Sequence, residues 1–378
     1  MCRKTCMRIS GFSDVMQQTQ NTGRNSAIEL FRFIFACTIL FSHYYYSRGI
    51  EGPLNFVHGD VGVEFFFLLC GLFMAHSAQK LIGKVDKNNL GTVTHNFIIK
   101  KMKSFMPLLI IVSIIQFLFL YAWTLGLDKI ICDFINSIPY FAMAEESGFH
   151  VWSRLDLGVT WYLSAMIIGL LILFPLYVIF NNVSRKILFP IITIFCLGFL
   201  QHNYNGIIST FDWTGFCFTG LIRGIGEMAM GALIYDISKW VQAHNFTTIG
   251  KITISIVEFG FITFTLMYCK GMMQSLDFIG ALMSMAIIIT LMYSSKGIYH
   301  IPNGNRICIF LGSISLPLYL VHLPLLNIVT SVLGNQWTID NVDIMVILSI
   351  LFASLLHLFV TYISNKKEKI IRLFVKEA

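Results

Sequence analysis

Charge is what this sequence has least of. Only 12% of its 378 residues are Asp, Glu, Lys or Arg, about half the share of a soluble domain. That shortage excludes an ordinary water-soluble fold. Ligand-type cysteine spacing is also missing. The nine cysteines include no CxxC and no Cys/His pairing, so neither a metal site nor a disulfide framework is expected. Cys37, Cys70, Cys196, Cys217 and Cys308 fall inside apolar runs, where a thiol behaves as a small hydrophobe. Cys132 and Cys269, both assigned to outer loops, are the one pair that a bridge could join. No low-complexity linker or internal repeat marks a second, soluble domain, and no nucleic-acid partner is expected. The polar first 26 residues carry Arg3, Lys4, Arg8 and Arg24. No small-residue cleavage site follows the next apolar run, so this segment is expected to be a cytoplasmic tail rather than a cleaved signal.

Apolar surface is what the chain has in excess. It is 56% hydrophobic with 34 phenylalanines, and its mean hydropathy is +0.72. A soluble core of this size cannot hide so much, and the bilayer becomes the solvent. Membrane-length runs are expected near 27–46, 60–82, 104–124, 160–180, 187–202, 215–236, 251–268, 276–294, 307–332 and 343–364. The expected fold is an all-α integral membrane bundle of about ten helices. Its transmembrane domain covers 27–364, between a tail of 1–26 and a tail of 365–378.

Positive charge orients this map. With the N-terminus inside, 21 of the 27 Lys and Arg residues fall on the inner side and 4 on the outer. Arg32 and Arg223 are left within spans. Such a bias predicts both termini in the cytoplasm, in a multi-pass cell membrane protein. The long outer loop near 125–159 mixes acids with Phe134, Tyr140, Phe141, Phe149 and Trp152. It is expected either to lie on the interface, with a short amphipathic helix, or to cap a site.

An ionisable group in hydrocarbon is costly, and is a functional candidate by default. Arg32 and His43 share the first span. Eleven residues make three turns plus about 20°, so both project from one face, ~16 Å apart along the axis. Snorkelling of Arg32 and interfacial hydrogen bonding of His43 account for them equally well. Glu64, at the outer end of the second span, is expected at the depth of His43, where an acid can orient a histidine or simply face water. Arg223 and Glu227 are four apart on the sixth span and can pair on one face. His322 sits on the ninth span; a lone histidine on an apolar helix is more often a packing residue. Lys100, Lys101 and Lys103 precede the third span, where the positive-inside bias or a phosphate-bearing ligand would place them.

Together these stretches resemble the membrane acyltransferase-3 family along most of the chain. Arg32-x10-His43 resembles its first-helix signature. Gly62-Val63-Glu64-Phe65-Phe66-Phe67-Leu68-Leu69-Cys70-Gly71 is similar to its Gly-Val-Asp-led stretch, with Glu64 in place of Asp and Cys70 in place of Ser. Trp161-Tyr162-Leu163-Ser164, Arg223-x3-Glu227-x3-Gly231 and Ser313-Ile314-Ser315-Leu316-Pro317-Leu318-Tyr319-Leu320-Val321-His322 resemble three further motifs. The arginine-rich run before the family's third helix is represented only by Lys100, Lys101 and Lys103, which supply charge without a bidentate fork. Some members carry a fused hydrolase-like domain; none is expected here.

The resemblance implies an enzyme moving acyl groups, commonly acetyl, onto sugars and other envelope acceptors, with ten core helices. It implies acyl-CoA as donor substrate, no permanently bound cofactor and a carbohydrate acceptor. On that reading the CoA phosphates dock near Lys100, Lys101 and Lys103, and the pantetheine arm passes Arg32. His43 acts as general base, with Glu64 orienting it; Arg32 binds the donor or stabilises developing negative charge. A covalent acyl-histidine is the other mode. Trp161, Arg223, Glu227 and His322 are expected to bind substrate. The rival reading is a secondary transporter or flippase of an envelope precursor. It calls for broken helices at matching places in two inverted halves, and Pro175, Pro190 and Pro317 are not so placed. A structural membrane partner, the third reading, leaves the shared face of Arg32 and His43 unexplained.

Overall fold

A computed structural model of the chain describes residues 24–376, apart from 205, 274–277, 299–300 and 335–336. Arg3, Lys4 and Arg8 of the expected tail lie outside the described residues. The fold is helical, and no strand forms among the described residues. The helices are α1 Ser26–Tyr44, α2 Gly62–Gln79, α3 Leu90–Leu120, α4 Leu127–Asn136, α5 Ile138–Phe141, α6 Trp161–Val183, α7 Phe189–Asn203, α8 Thr219–Ala243, α9 Thr248–Cys269, α10 Phe278–Ser294, α11 Arg306–Leu333 and α12 Ile339–Lys376. Among the described residues, seven stretches are long and apolar enough to cross a membrane.

The count falls short of the ten expected for local reasons. Residues Trp161–Asn203 count as one stretch, but Asn181 takes a positive φ of 27° and a π-turn at Ser184–Leu188 follows, which divides α6 from α7. Helix α10 is short, and α8 carries Arg223, Glu227, Asp236 and Lys239 among its apolar residues. Helix α3 begins well before the expected third span, and α12 runs on into the expected C-terminal tail. Cys132 and Cys269 are both free, so the bridge considered between them is absent.

Capping residues start the helices that matter here. Asn25 precedes α1 and accepts from the Ile28 amide at 3.1 Å, while Glu29 in the first turn suits the helix dipole. Asn305 caps α11 through the amides of Ile307 and Cys308. The centre is formed by α1, α2, α8 and α11: α2 packs on α8, α11 packs on α1, and α6 and α10 close the sides. The approach of α2 to α8 depends on two glycines. A methyl at Gly71 would run into the Met228 carbonyl, and one at Gly231 into the Leu68 carbonyl. These backbones meet without intervening side chains, the small-residue contact that replaces hydrophobic driving force in lipid.

The loop between α3 and α6 contains the expected short helix. In α4, Leu127, Ile131, Phe134 and Ile135 are exposed, while Asp133 turns inward to Arg154 at 2.9 Å. An apolar stripe facing out with an acid facing in suits a membrane interface.

Candidate active site

Helix α1 presents Arg32 and His43, and α11 brings His322 to the second of them. The imidazole centroids of His43 and His322 lie 5.1 Å apart, with the rings tilted by 39°. The Nδ1 of His322 is 2.6 Å from the Tyr319 carbonyl. A carbonyl only accepts, so Nδ1 carries the hydrogen and Nε2 keeps its lone pair. That Nε2 is buried and has no hydrogen-bond partner. Tyr44 holds the turn in place by donating to the His322 carbonyl at 2.8 Å and meeting Ser349 of α12 at 2.7 Å. The acid whose charge reaches His43 is Asp60, just before α2.

Glu64 is committed elsewhere. It accepts from Arg223 of α8, and both side chains are almost completely buried. Arg223 also stands 3.4 Å from Glu227, over the Trp161 ring at 5.6 Å, and donates to the Ile208 carbonyl at 2.9 Å. The expectation that Glu64 orients His43 is therefore corrected: its carboxylate holds a cation on the neighbouring helix. Two carboxylates share this single guanidinium, and both Glu227 oxygens and Glu64 Oε2 lack a hydrogen-bond donor.

Near the N-terminal end of α1, Arg32 is held by Glu29 at 2.9 Å. Of the three lysines, Lys100 and Lys103 are exposed, whereas Lys101 is half-buried and its charge reaches the Cys70 thiol. Tyr162 interacts electrostatically with Cys70, Arg32, Tyr319 and Glu227. The charge of Lys101 thus acts on Cys70 on α2, and Tyr162 stands in the field of Arg32 and of Tyr319, which lies on the turn that carries His322.

The loop between α3 and α6 covers this turn. Tyr319 donates to the Val159 carbonyl at 2.7 Å, and Ser164 bonds Met143 at 2.9 Å and Glu146 at 3.0 Å. Tyr140 accepts from the Leu157 amide at 3.2 Å. Burial pushes the Glu145 carboxyl up to about 7 and Glu146 to about 8, with further repulsion from Asp156 on the first and Glu145 on the second. Ligand atoms of Glu145, His150 and Asp156 lie within 4.8 Å of one another, a cluster able to hold a cation. A cavity of about 410 Å³, lined in part by Gln242, Lys251 and Lys296, opens instead between the α8–α9 loop and the end of α10, remote in sequence from the histidines.

A family model described as an acyltransferase domain, acyltransferase-3, matches residues 25–365. The chain belongs to the acyltransferase-3 family. No curated protein and no solved structure matched it.

Membership gives the motif residues of this acyltransferase a common address. Arg32, His43, Glu64, Arg223, Glu227 and His322 lie on the central helices α1, α2, α8 and α11, and Trp161 lies on α6 beside them. Asp60, Tyr162 and Tyr319 were not singled out as site residues from the sequence. The two tyrosines stood inside quoted motifs but carry no charge, so the cost of burying ions did not flag them. Asp60 was visible only as an acid in a loop. Glu145 and His150 sit in a stretch that hydropathy reads as an ordinary loop.

Proposed function

We propose that this acyltransferase moves an acyl group, acetyl in the first instance, from cytoplasmic acyl-CoA to a hydroxyl of an extracytoplasmic glycan or related envelope acceptor. It does so as a ten-span protein of the cell membrane with both termini in the cytoplasm. The observation carrying this reading is the meeting of His43 from α1 with His322 from α11, 5.1 Å between ring centroids, on the helix that also presents Arg32. A highly anionic donor from the cytoplasm meets Lys101 first, with Lys100 and Lys103 adding charge at the surface. Its pantetheine arm passes Arg32, and the ~16 Å between Arg32 and His43 matches the reach of such an arm. His43 is the imidazole at which the acyl group meets the acceptor hydroxyl. Arg32 and Tyr162 stand where negative charge develops on the thioester oxygen. Trp161, held against Arg223, offers a ring face to the acceptor.

Binding of the donor tests this reading. Acetyl-CoA added to the purified protein in detergent should raise its melting temperature in a concentration-dependent way. Lys101→Ala should weaken that rise more than Lys100→Ala. A wild-type protein indifferent to acetyl-CoA and to CoA alike overturns it.

A further inference from the structure

We propose that the cavity at the end of α10 binds the phosphate of an anionic phospholipid, with the acyl chains laid along α9. This goes beyond the acyltransferase reading and does not rest on it. The cavity measures about 410 Å³, and of its eight lining residues two, Lys251 and Lys296, are lysines and none is acidic. Neither lysine forms an ion pair among the described residues. A third, Lys239, donates to the lining Gln242. Asp236, the acid on this end of α8, is committed to Arg185 at 2.7 Å. Positive charge therefore gathers around one opening that no carboxylate lines.

The local structure also departs from what stability alone would select. Lys251 stands at the start of α9, where the helix dipole is already positive and an acid would be stabilising. The first turn of α9 holds no acid. Thr247 caps a single amide there, that of Gly250 at 3.2 Å. Such a helix start suits a phosphate. On the opposite wall Ser295 takes a φ of 53°, in the left-handed region that side chains rarely adopt. Strain of this kind collects where a ligand is clamped. The Ile298 amide donates to the Ser255 hydroxyl at 2.9 Å. Ser255 is four residues from Lys251, so this bond holds the Lys296 segment against the face of α9 that carries Lys251.

A soluble phosphate would need only the cavity. The same helix start exposes Ile249, Ile252, Ile256 and Phe259, three and four residues apart and so on one stripe. That stripe begins at the turn that carries Lys251, which places apolar surface directly beside the charged pocket. A headgroup phosphate with its acyl chains matches both parts, and a basic pocket between helices at a membrane surface is the usual form of such a site. A zwitterionic headgroup would bring its own cation to a pocket without acids, which selects against it.

Phosphatidylglycerol and phosphatidylcholine, each added to the purified protein in neutral detergent, are the probes, and the melting temperature is the readout. Phosphatidylglycerol should raise it by several degrees and phosphatidylcholine should not. The double variant Lys251→Ala, Lys296→Ala should need about 30-fold more phosphatidylglycerol for the same rise, the weight of two lysines at a membrane surface. The double variant Lys251→Arg, Lys296→Arg keeps the charge and should keep the response. Lys84→Ala, which removes an exposed lysine outside the cavity, should respond as wild type does. Wild type that responds to neither lipid, or equally to both, overturns the proposal. So does an alanine double variant that melts as wild type does without lipid and then responds as fully. Inorganic pyrophosphate that produces the whole rise, with nothing left for the lipid to add, overturns the lipid in favour of a soluble phosphate compound.

Discussion

Arg223 of α8 is bound by Glu64 of α2, 159 positions earlier in the chain, and the pair is sealed from solvent between two helices whose backbones touch at Gly71 and Gly231. Glu227, one turn along α8, approaches the same guanidinium. A buried cation between two acids locks the α2–α8 contact electrostatically as well as sterically.

Removing the cation should therefore be more damaging than removing one acid. Arg223→Ala leaves two carboxylates buried without a counter-charge, and a loss of ~3–5 kcal/mol is expected. Glu64→Gln keeps a hydrogen-bond acceptor for Arg223 and leaves Glu227 as the counter-charge, so its loss should be smaller. Thermal unfolding in detergent orders the two variants.

Gly71→Ala places a methyl against the Met228 carbonyl. Overpacking of this kind costs ~1–3 kcal/mol, and here backbone rather than a flexible side chain must move. The variant should show a lower melting temperature and a weaker response to acetyl-CoA. Gly198→Ala, where a methyl meets nothing within 4 Å, is the matched control.

Stability should fall as pH rises through the range where the loop carboxyls ionise. Glu145 and Glu146 titrate near 7 and 8 in the folded chain, above the ordinary 4.5. Between these values the folded state holds protons that the unfolded state has released. Their contribution is fully present below about 4.5 and is lost as pH climbs past 7 and 8. Glu145→Gln and Glu146→Gln should each flatten the melting temperature plotted from pH 5 to pH 9.

Lys101 should matter more to the donor than its neighbours. Lys101→Ala is expected to raise the KM for acyl-CoA by about 10-fold, in keeping with loss of one charge-assisted contact. Lys100→Ala and Lys103→Ala should change it only a few-fold, and their effect should fade at high salt. Initial rates at two ionic strengths separate the cases.

Much of this was legible before any coordinates. Runs of hydropathy place every long helix within a few residues at most ends, and the eleven-residue spacing correctly sets Arg32 and His43 on one continuous helix. The four-residue spacing likewise brings Arg223 to Glu227. Partners between helices were not legible, because periodicity says which face a residue occupies and not which helix it meets. Glu64 shows the consequence: its depth suited His43, but its helix packs on α8 and gives it Arg223. His322 read as a packing residue, and only the Tyr319 carbonyl on one side and the His43 ring on the other show its buried Nε2 to be an unsatisfied group of the site. The extension of α3 before its apolar run escaped hydropathy because Lys100, Lys101 and Lys103 are helical yet polar.

The most direct measurement is transfer of label from radiolabelled acetyl-CoA to envelope material, in membranes holding matched amounts of wild type or His43→Ala. Label above vector with wild type, and at the vector level with His43→Ala, is the predicted result. Equal label from both proteins would contradict it, by removing His43 from the chemistry.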